Sequence, residues 1–265
     1  FVAGWDGTIL RTDNGGMYWY QVNSGTKFFL KSMIFTDDNT GYSVGLNGVI
    51  IKTTDGGLNW HVYANDIPWD LLSLHFTTSN TGFCAGRGGS LIKTVDGGLT
   101  WVTLSSGTFQ NLNDINSFGE DSIIVVGDNG TILKSINEGG DWMHYTYGQF
   151  IDLSSIGYTN NKTIYVVGSR GTILKTEDFG TSWDLINSGT TNWLRSIFFI
   201  NPNIGYIVGD GNKILKSSDG GKSWAMLQLG ESSGFYSVCF TDENTGYAGG
   251  LGNIFKTTDG GTTWE

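Results

Sequence analysis

Apolar and polar positions along the chain repeat in blocks, each reading as four short strands. An apolar residue opens every full block, at Leu30, Leu71, Leu112, Leu153, Leu194 and Phe235, and is followed by Met33, Leu74, Ile115, Ile156, Ile197 and Val238. Two positions further on come Phe35, Phe76, Ser117, Tyr158, Phe199 and Phe240, so these columns alternate at period two and predict a first strand. A polar turn such as Asp37-Asp38-Asn39-Thr40-Gly41 leads to a second strand. It carries Tyr42, Phe83, Ile124, Tyr165, Tyr206 and Tyr247 and stops at Gly45, Gly86, Gly127, Gly168, Gly209 and Gly250. Those glycines read as a tight link to a third strand. Its consecutive apolar pairs, such as Ile50-Ile51 and Ile214-Leu215, suit a strand covered on both faces. A fourth strand starts at a tryptophan.

That tryptophan sets the period. Trp19, Trp60, Trp101, Trp142, Trp183, Trp224 and Trp264 are separated by five steps of 41 residues and a last step of 40, one residue being absent between Gly250 and Lys256. Self-similarity at a fixed period means a supersecondary unit that buries its apolar face only against its neighbours. Four short strands per unit predict an all-β fold, a seven-bladed β-propeller of four-stranded antiparallel blades, with residues 1–265 forming one domain. The first blade is expected to be incomplete, with strands near residues 1–4, 8–12 and 19–23 and no first strand. The last is expected to end as its outer strand begins at Trp264-Glu265. A solenoid would need polar capping ends, and a six-bladed ring would leave residues 1–12 without a place. The block from Leu112 is expected to pack least well, because Ser117 replaces an aromatic residue and Glu120-Asp121-Ser122 replaces the usual Thr-Gly turn.

Between third and fourth strands the chain writes Thr53-Thr54-Asp55-Gly56-Gly57-Leu58-Asn59-Trp60 and six variants of it. The hydroxyl two residues before the Asp can bond the turn backbone, the carboxylate can accept turn N–H groups, and the glycines can take φ > 0. The Trp then supplies a large buried area to a small unit. This pattern resembles the Asp-box, or bacterial neuraminidase repeat, most closely in Ser217-Ser218-Asp219-Gly220-Gly221-Lys222-Ser223-Trp224. The box residues are Asp55, Asp96, Asp178, Asp219 and Asp259, with Asn14 and Asn137 in the two remaining copies, and the seven tryptophans. In that family the box joins the third and fourth strands of a blade, away from the ligand face. The carboxylates are therefore read as structural, and no catalytic residue is assigned.

Composition narrows the partners. The net charge of −10 and the once-per-repeat spacing of most basic residues disfavour nucleic acid and anionic membranes. No run of 18 apolar residues exists, so no transmembrane segment is predicted. His61, His75 and His144 share no ligand spacing and the glycines match no phosphate loop, so neither metal nor cofactor is expected. Cys84 and Cys239 fall in distant blocks and read as two buried free thiols. Residue 1 lies inside a repeat, which suggests a processed chain or a fragment.

Four strands per blade place the links at two ends. The box turns share one end with the Asp-Asn-Thr-Gly turns. Residues 24–31 and their equivalents share the other with the short links after Gly45 and its equivalents. Variation between copies is where a site is grafted, and these links present Trp5, Asp6, Lys31, Trp69, Arg87, Asn113, Asp128, Asn129, Arg170, Trp193, Arg195, Asp210 and Tyr236. Aromatics, guanidiniums, carboxylates and amides together suit recognition of a peptide or a glycan.

The run Gly-x-x-Gly-x-Ile-x-Lys-Thr-x-Asp-Gly-Gly-x-x-Trp, joined to Leu-x-Ser-Ile-x-Phe and Thr-Gly-Tyr-x-Val-Gly, resembles the photosystem II stability/assembly factor-like family over essentially the whole chain. The resemblance implies a seven-bladed, non-enzymatic propeller outside the cytoplasm, periplasmic or secreted, that engages protein or peptide partners. A glycan-binding lectin is the alternative. A further one is a glycoside hydrolase, since sialidases and some β-glucanases also carry Asp-boxes: Arg87, Arg170 and Arg195 would clamp a carboxylate, Tyr236 and Glu231 form a nucleophile pair, and Asp128 or Asp210 act as acid. The absence of an Arg-Ile-Pro stretch and of cleft-building insertions counts against it.

Overall fold

The computed structural model describes residues 1–63, 67–119, 121–160, 162–228 and 234–265. Its strands form seven antiparallel sheets in chain order, so the fold is a seven-bladed β-propeller. Blade 2 shows the pattern, with strands Leu30–Phe35, Gly41–Gly45, Ile50–Thr53 and His61–Tyr63 hydrogen-bonded in that order. Blades 3 to 6 repeat it from Leu71, Leu112, Leu153 and Leu194. Blade 1 has Val2–Ala3, Ile9–Arg11 and Tyr20–Val22 and, as expected, no first strand. Blade 7 has Phe235–Phe240, Gly246–Gly250 and Ile254–Thr257. There Lys256 and Glu265 exchange both backbone hydrogen bonds, at 2.8 and 2.9 Å, where the outer strand begins. The chain divides into two compact units, Phe1–Gly127 with Ile132–Tyr145, and Asp128–Thr131 with Thr146–Glu265.

Within each unit the blades interlock by one repeated device. In the first, Tyr42 of blade 2 stacks on Phe76 of blade 3 at 4.3 Å, and Trp101 meets the edge of Phe76 at 6.2 Å. The Tyr42 hydroxyl and the Lys52 ammonium both donate to the box carbonyl of Gly97, each at 2.7 Å. In the second unit Tyr206 stacks on Phe240 at 3.9 Å, while Tyr206 and Lys216 donate to Gly260 at 2.8 and 2.6 Å. The second glycine of the box is left-handed and lies against the tyrosine ring; a Cβ on Gly98 would sit 2.8 Å from Tyr42. Burial lifts the Tyr42 and Tyr206 hydroxyls to about 12, which keeps them donors at neutral pH.

Blade 4 departs from its expected looseness. Ile115, Ile123, Val125 and Leu133 are fully packed with Phe83 and Leu91, and Phe118, one residue beyond Ser117, is buried. Ser117 instead meets the ring Nε2 of His75 at 2.8 Å. Glu120 lies outside the described residues. Cys84 is buried as expected, but Cys239 is exposed, because it alternates with the core residues Val238 and Phe240 on the first strand of blade 7. Both cysteines are free.

The box turns are built as their letters require. Thr94 donates to Asp96 at 2.8 Å and accepts the Gly98 N–H at 2.9 Å, while Asp96 accepts the backbone and hydroxyl of Thr100 at 2.9 and 2.6 Å. Asn137 keeps the acceptor role at Oδ1 and reverses the other contact, donating Nδ2 to Asp141 at 2.9 Å. These bonds hold Asp55, Asp96, Asp219 and Asp259 at about 2, led by the backbone N–H of Asn59 and Thr263 and by the side chains of Thr100 and Ser223. A carboxylate depressed in the folded state stabilises the fold above its unfolded value near 3.8 and loses that contribution as pH falls through the folded value. Melting temperature is therefore expected to fall steeply between pH 4 and pH 2. His75, pushed by burial to about 4, adds an earlier loss from pH 6.5 downward. Thermal melts across pH 7 to 2 check this, and Asp219→Asn, which copies the natural Asn137 box, should flatten the acid limb. An unchanged limb would remove the boxes as its cause.

Candidate binding face

The two ends predicted for each blade are present. At the box end, Gly56, Gly97, Gly220 and Gly260 donate backbone N–H to Asn39, Asn80, Asn203 and Asn244. At the link end, Leu46, Arg87, Ser169 and Asp210 donate to the carbonyls of Phe29, Asp70, Asp152 and Trp193 at 2.8–2.9 Å. The register between first and second strands slips after Leu30, Leu71, Leu112, Leu153, Leu194 and Phe235. Lys31, Asn113, Arg195 and Tyr236 are thus the extra residues of β-bulges, a device that re-aims a side chain at a sheet rim.

The short links are single turns whose middle residue is left-handed, at φ 52° for Asp6, 53° for Asn129 and 59° for Arg170, and all three side chains are exposed. The next blade ties these turns down. Asp70 accepts the Asn47 N–H at 2.8 Å, Asn111 the Gly88 N–H at 3.1 Å, and Asp152 the Asn129 N–H at 3.1 Å. The Asp128 carbonyl accepts the Thr131 hydroxyl at 2.7 Å.

In the first unit Trp5 stacks on Phe29 at 4.3 Å, and the Lys31 ammonium lies 4.2 Å from the same ring. Trp69 is half-exposed beside Gly88, and Arg87 pairs with Asp70 at 3.3 Å. In the second unit Arg195 bonds both oxygens of Asp210 at 3.0 Å. Its guanidinium lies 3.9 Å from the Trp193 ring and 5.7 Å from Tyr236, and the Trp193 indole donates to Ser154 at 2.6 Å. Bidentate pairing and aromatic stacking fix that guanidinium without a ligand. The sequence did not single out Phe109, which is 95% exposed, nor Phe150. Their signal was an aromatic residue at one position of the variable link in consecutive blades. Glu231, required for the hydrolase reading, lies outside the described residues.

The model of the family described as photosynthesis system II assembly factor YCF48 matches residues 12–142 and 181–265. The chain belongs to that family. Membership carries the non-enzymatic, protein-engaging and extracytoplasmic character implied by the sequence resemblance. Among solved structures the chain is similar to YCF48 bound to D1 peptide, with 23% identity and a TM-score of 0.75 over 90% of this chain and 82% of that one. YCF48 from Cyanidioschyzon merolae is 18% identical, with a TM-score of 0.75 over 97% and 88%. A xyloglucanase of glycoside hydrolase family 74 from Xanthomonas campestris is 12% identical, with a TM-score of 0.74 over 98% of this chain and 52% of that one. An enzyme and assembly factors share this fold, so the three structures establish the fold and not the chemistry. No curated protein matches the chain. Among the described residues no helix is long and apolar enough to cross a membrane.

Proposed function

We propose that the link ends of the blades bind an extended peptide segment of a protein partner during its assembly. The observation that carries this reading is the cluster of Trp193, Arg195, Asp210 and Tyr236, in which a guanidinium is already oriented between two rings and a carboxylate. Such a platform contacts a peptide with little further ordering cost. The similarity to a YCF48 with a D1 peptide bound supports a peptide as the ligand class. The hydrolase reading would need a guanidinium and a carboxylate free to act on substrate, whereas Arg195 and Asp210 neutralise each other and Arg87 pairs with Asp70.

Binding of fluorescein-labelled peptides tiling soluble segments of the native host's proteins, read by anisotropy, tests the function. At least one family of peptides is expected to bind, and Arg195→Ala should weaken it by about ten-fold or more, as loss of an arginine at a binding hot spot does. No peptide above background would sink the reading. A glycan array that responds while the peptides do not would replace it with the lectin.

A further inference from the structure

The first unit contains a cavity of about 390 Å³ at its link end, lined by Ile67, Pro68, Trp69, Leu91, Leu104 and Phe109, with the backbone of residues 88–90 along one wall. We propose that it is an anchoring pocket for one aromatic or large aliphatic side chain of an extended peptide, and that Arg87 at its rim takes a carboxylate on a neighbouring peptide residue. The inference rests on the peptide-binding reading above and names the peptide chemistry it would select.

Three observations lead there. The volume sits at the low end of the roughly 300–1,000 Å³ of ligand pockets, which suits one ring-bearing side chain better than an extended ligand. Its backbone wall offers few open partners: Gly88 donates its N–H to Asn111, Ser90 to the Arg87 carbonyl, and the Gly89 carbonyl accepts the Ser106 hydroxyl at 2.6 Å, which leaves the Ser90 and Thr103 hydroxyls as the polar side-chain groups of the lining. A sugar needs several hydrogen-bonding groups, whereas an apolar side chain needs none, so the paired backbone favours the latter. The flanking aromatics are also unusually solvated, Trp69 at 55% and Phe109 at 95% exposure. Covering two such rings is the source of affinity that an aromatic anchor provides.

The rim supplies the charge argument. Arg195 is bound at both ends by Asp210 and its side chain is 27% exposed, whereas Arg87 meets Asp70 through one nitrogen at 3.3 Å and is 58% exposed. Asp70 in turn holds the Asn47 N–H through its other oxygen. Arg87 therefore has donors directed to solvent beside the pocket, on a chain whose net charge is −10. An acidic residue next to the anchor complements that guanidinium locally.

The test uses fluorescein-labelled nine-residue peptides in a Gly-Ser background, with a central Phe, Leu or Ala next to Asp or Lys, titrated with the full chain. The Phe-Asp peptide is expected to bind at least ten-fold more tightly than the Ala-Asp peptide. Trp69→Ala and Phe109→Ala should erase the Phe-over-Ala preference, and Trp69→Phe should keep most of it. Arg87→Ala should erase the Asp-over-Lys preference and leave Phe over Ala intact. Both aromatics are solvated, so the melting temperatures of these variants should match the parent and exclude misfolding as the cause. A Phe preference that survives Trp69→Ala and Phe109→Ala, or no preference in the parent, overturns the pocket. If tiled peptides still bind and depend on Arg195, the peptide-binding function stands without it; if no peptide binds, both fall. A glycan whose binding is lost in Trp69→Ala would assign the pocket to sugars and overturn the proposal.

Discussion

A chain lacking residues 1–24 is expected to melt at least 10 °C below the full chain. The reason is what those residues cover in the first unit. Ile9 and Val22 belong to one buried cluster with Leu30, Val49, Ile51 and Trp60 of blade 2. Phe1 occupies the repeat position of Tyr42: it stacks on Phe35 at 4.9 Å, meets the edge of Trp60 at 6.5 Å and lies against Gly57, where a Cβ would come within 2.4 Å of its ring. Trp5 stacks on Phe29, and the Gly4 carbonyl accepts the Leu30 N–H at 3.0 Å. Fully burying an aliphatic side chain stabilises by about 1.5–3 kcal/mol, so Ile9 and Val22, with a smaller share from Phe1, which is 41% exposed, together contribute about 5 kcal/mol. A kilocalorie shifts melting by about 2–4 °C in a domain of this size. Ile9→Ala gives a gentler version, at about 2–5 kcal/mol for a buried aliphatic truncation. A truncated chain that melts within about 2 °C of the full one would show that blade 1 adds nothing to the cooperative fold.

The strands were legible because their information is local. The Trp19 to Trp264 series, the paired apolar residues of the third strands and the Thr-x-Asp-Gly-Gly turn with its variants each describe one blade. What lay between blades was hidden. A basic residue precedes every box, Arg11 in the first copy and Lys in the others, yet the role of Lys52 and Lys216 depends on the neighbouring turn carbonyl being within reach, which one repeat does not encode. The same holds for Asp70 and Asp152, which cap the preceding blade's link. Blade 4 differs in a related way: Ser117 marks a lost aromatic, yet the blade's aliphatic residues pack closely against Phe83 and Leu91, and the neighbouring Phe118 is buried.

The candidate face was read residue by residue, and its chemistry lies in pairs. Arg195 and Asp210 were both visible as polar variants in a link, but a β-bulge and a tight turn bring them to 3.0 Å across fifteen positions of chain. The links present Trp193 as one ring among several, whereas its indole donates to Ser154 and its face meets Arg195. Conversely, Phe109 stands in solvent with no repeat partner except Phe150, so a column-by-column reading passed over it.

Alanine at Gly4 and alanine at Gly45 are expected to have opposite outcomes although both glycines occupy one position of the repeat. Their φ angles are −169° and −170°, extended values open to any residue, so backbone preference does not separate them. Space does. A Cβ on Gly45 would fall 1.9 Å from the Phe29 carbonyl oxygen, because the first strand of blade 2 begins by crossing directly over it. The contact involves backbone on both sides and can relax only by breaking the Leu46 to Phe29 hydrogen bond and shifting the bulge at Lys31. Overpacking of this kind costs about 1–3 kcal/mol and more where no side chain can yield, so Gly45→Ala should lower the melting temperature by roughly 6 °C or more. Blade 1 has no first strand, nothing among the described residues lies within 4 Å of a Cβ on Gly4, and Gly4→Ala should be within about 0.5 kcal/mol of the parent. Gly209→Ala joins this effect to function. Its Cβ would meet the Trp193 carbonyl at 2.1 Å, and displacing Trp193 moves the ring against which Arg195 is held. Denaturant titrations of the three variants, with peptide anisotropy on Gly209→Ala, decide it: equal losses at Gly4 and Gly45 would mean that the missing first strand is not what distinguishes them.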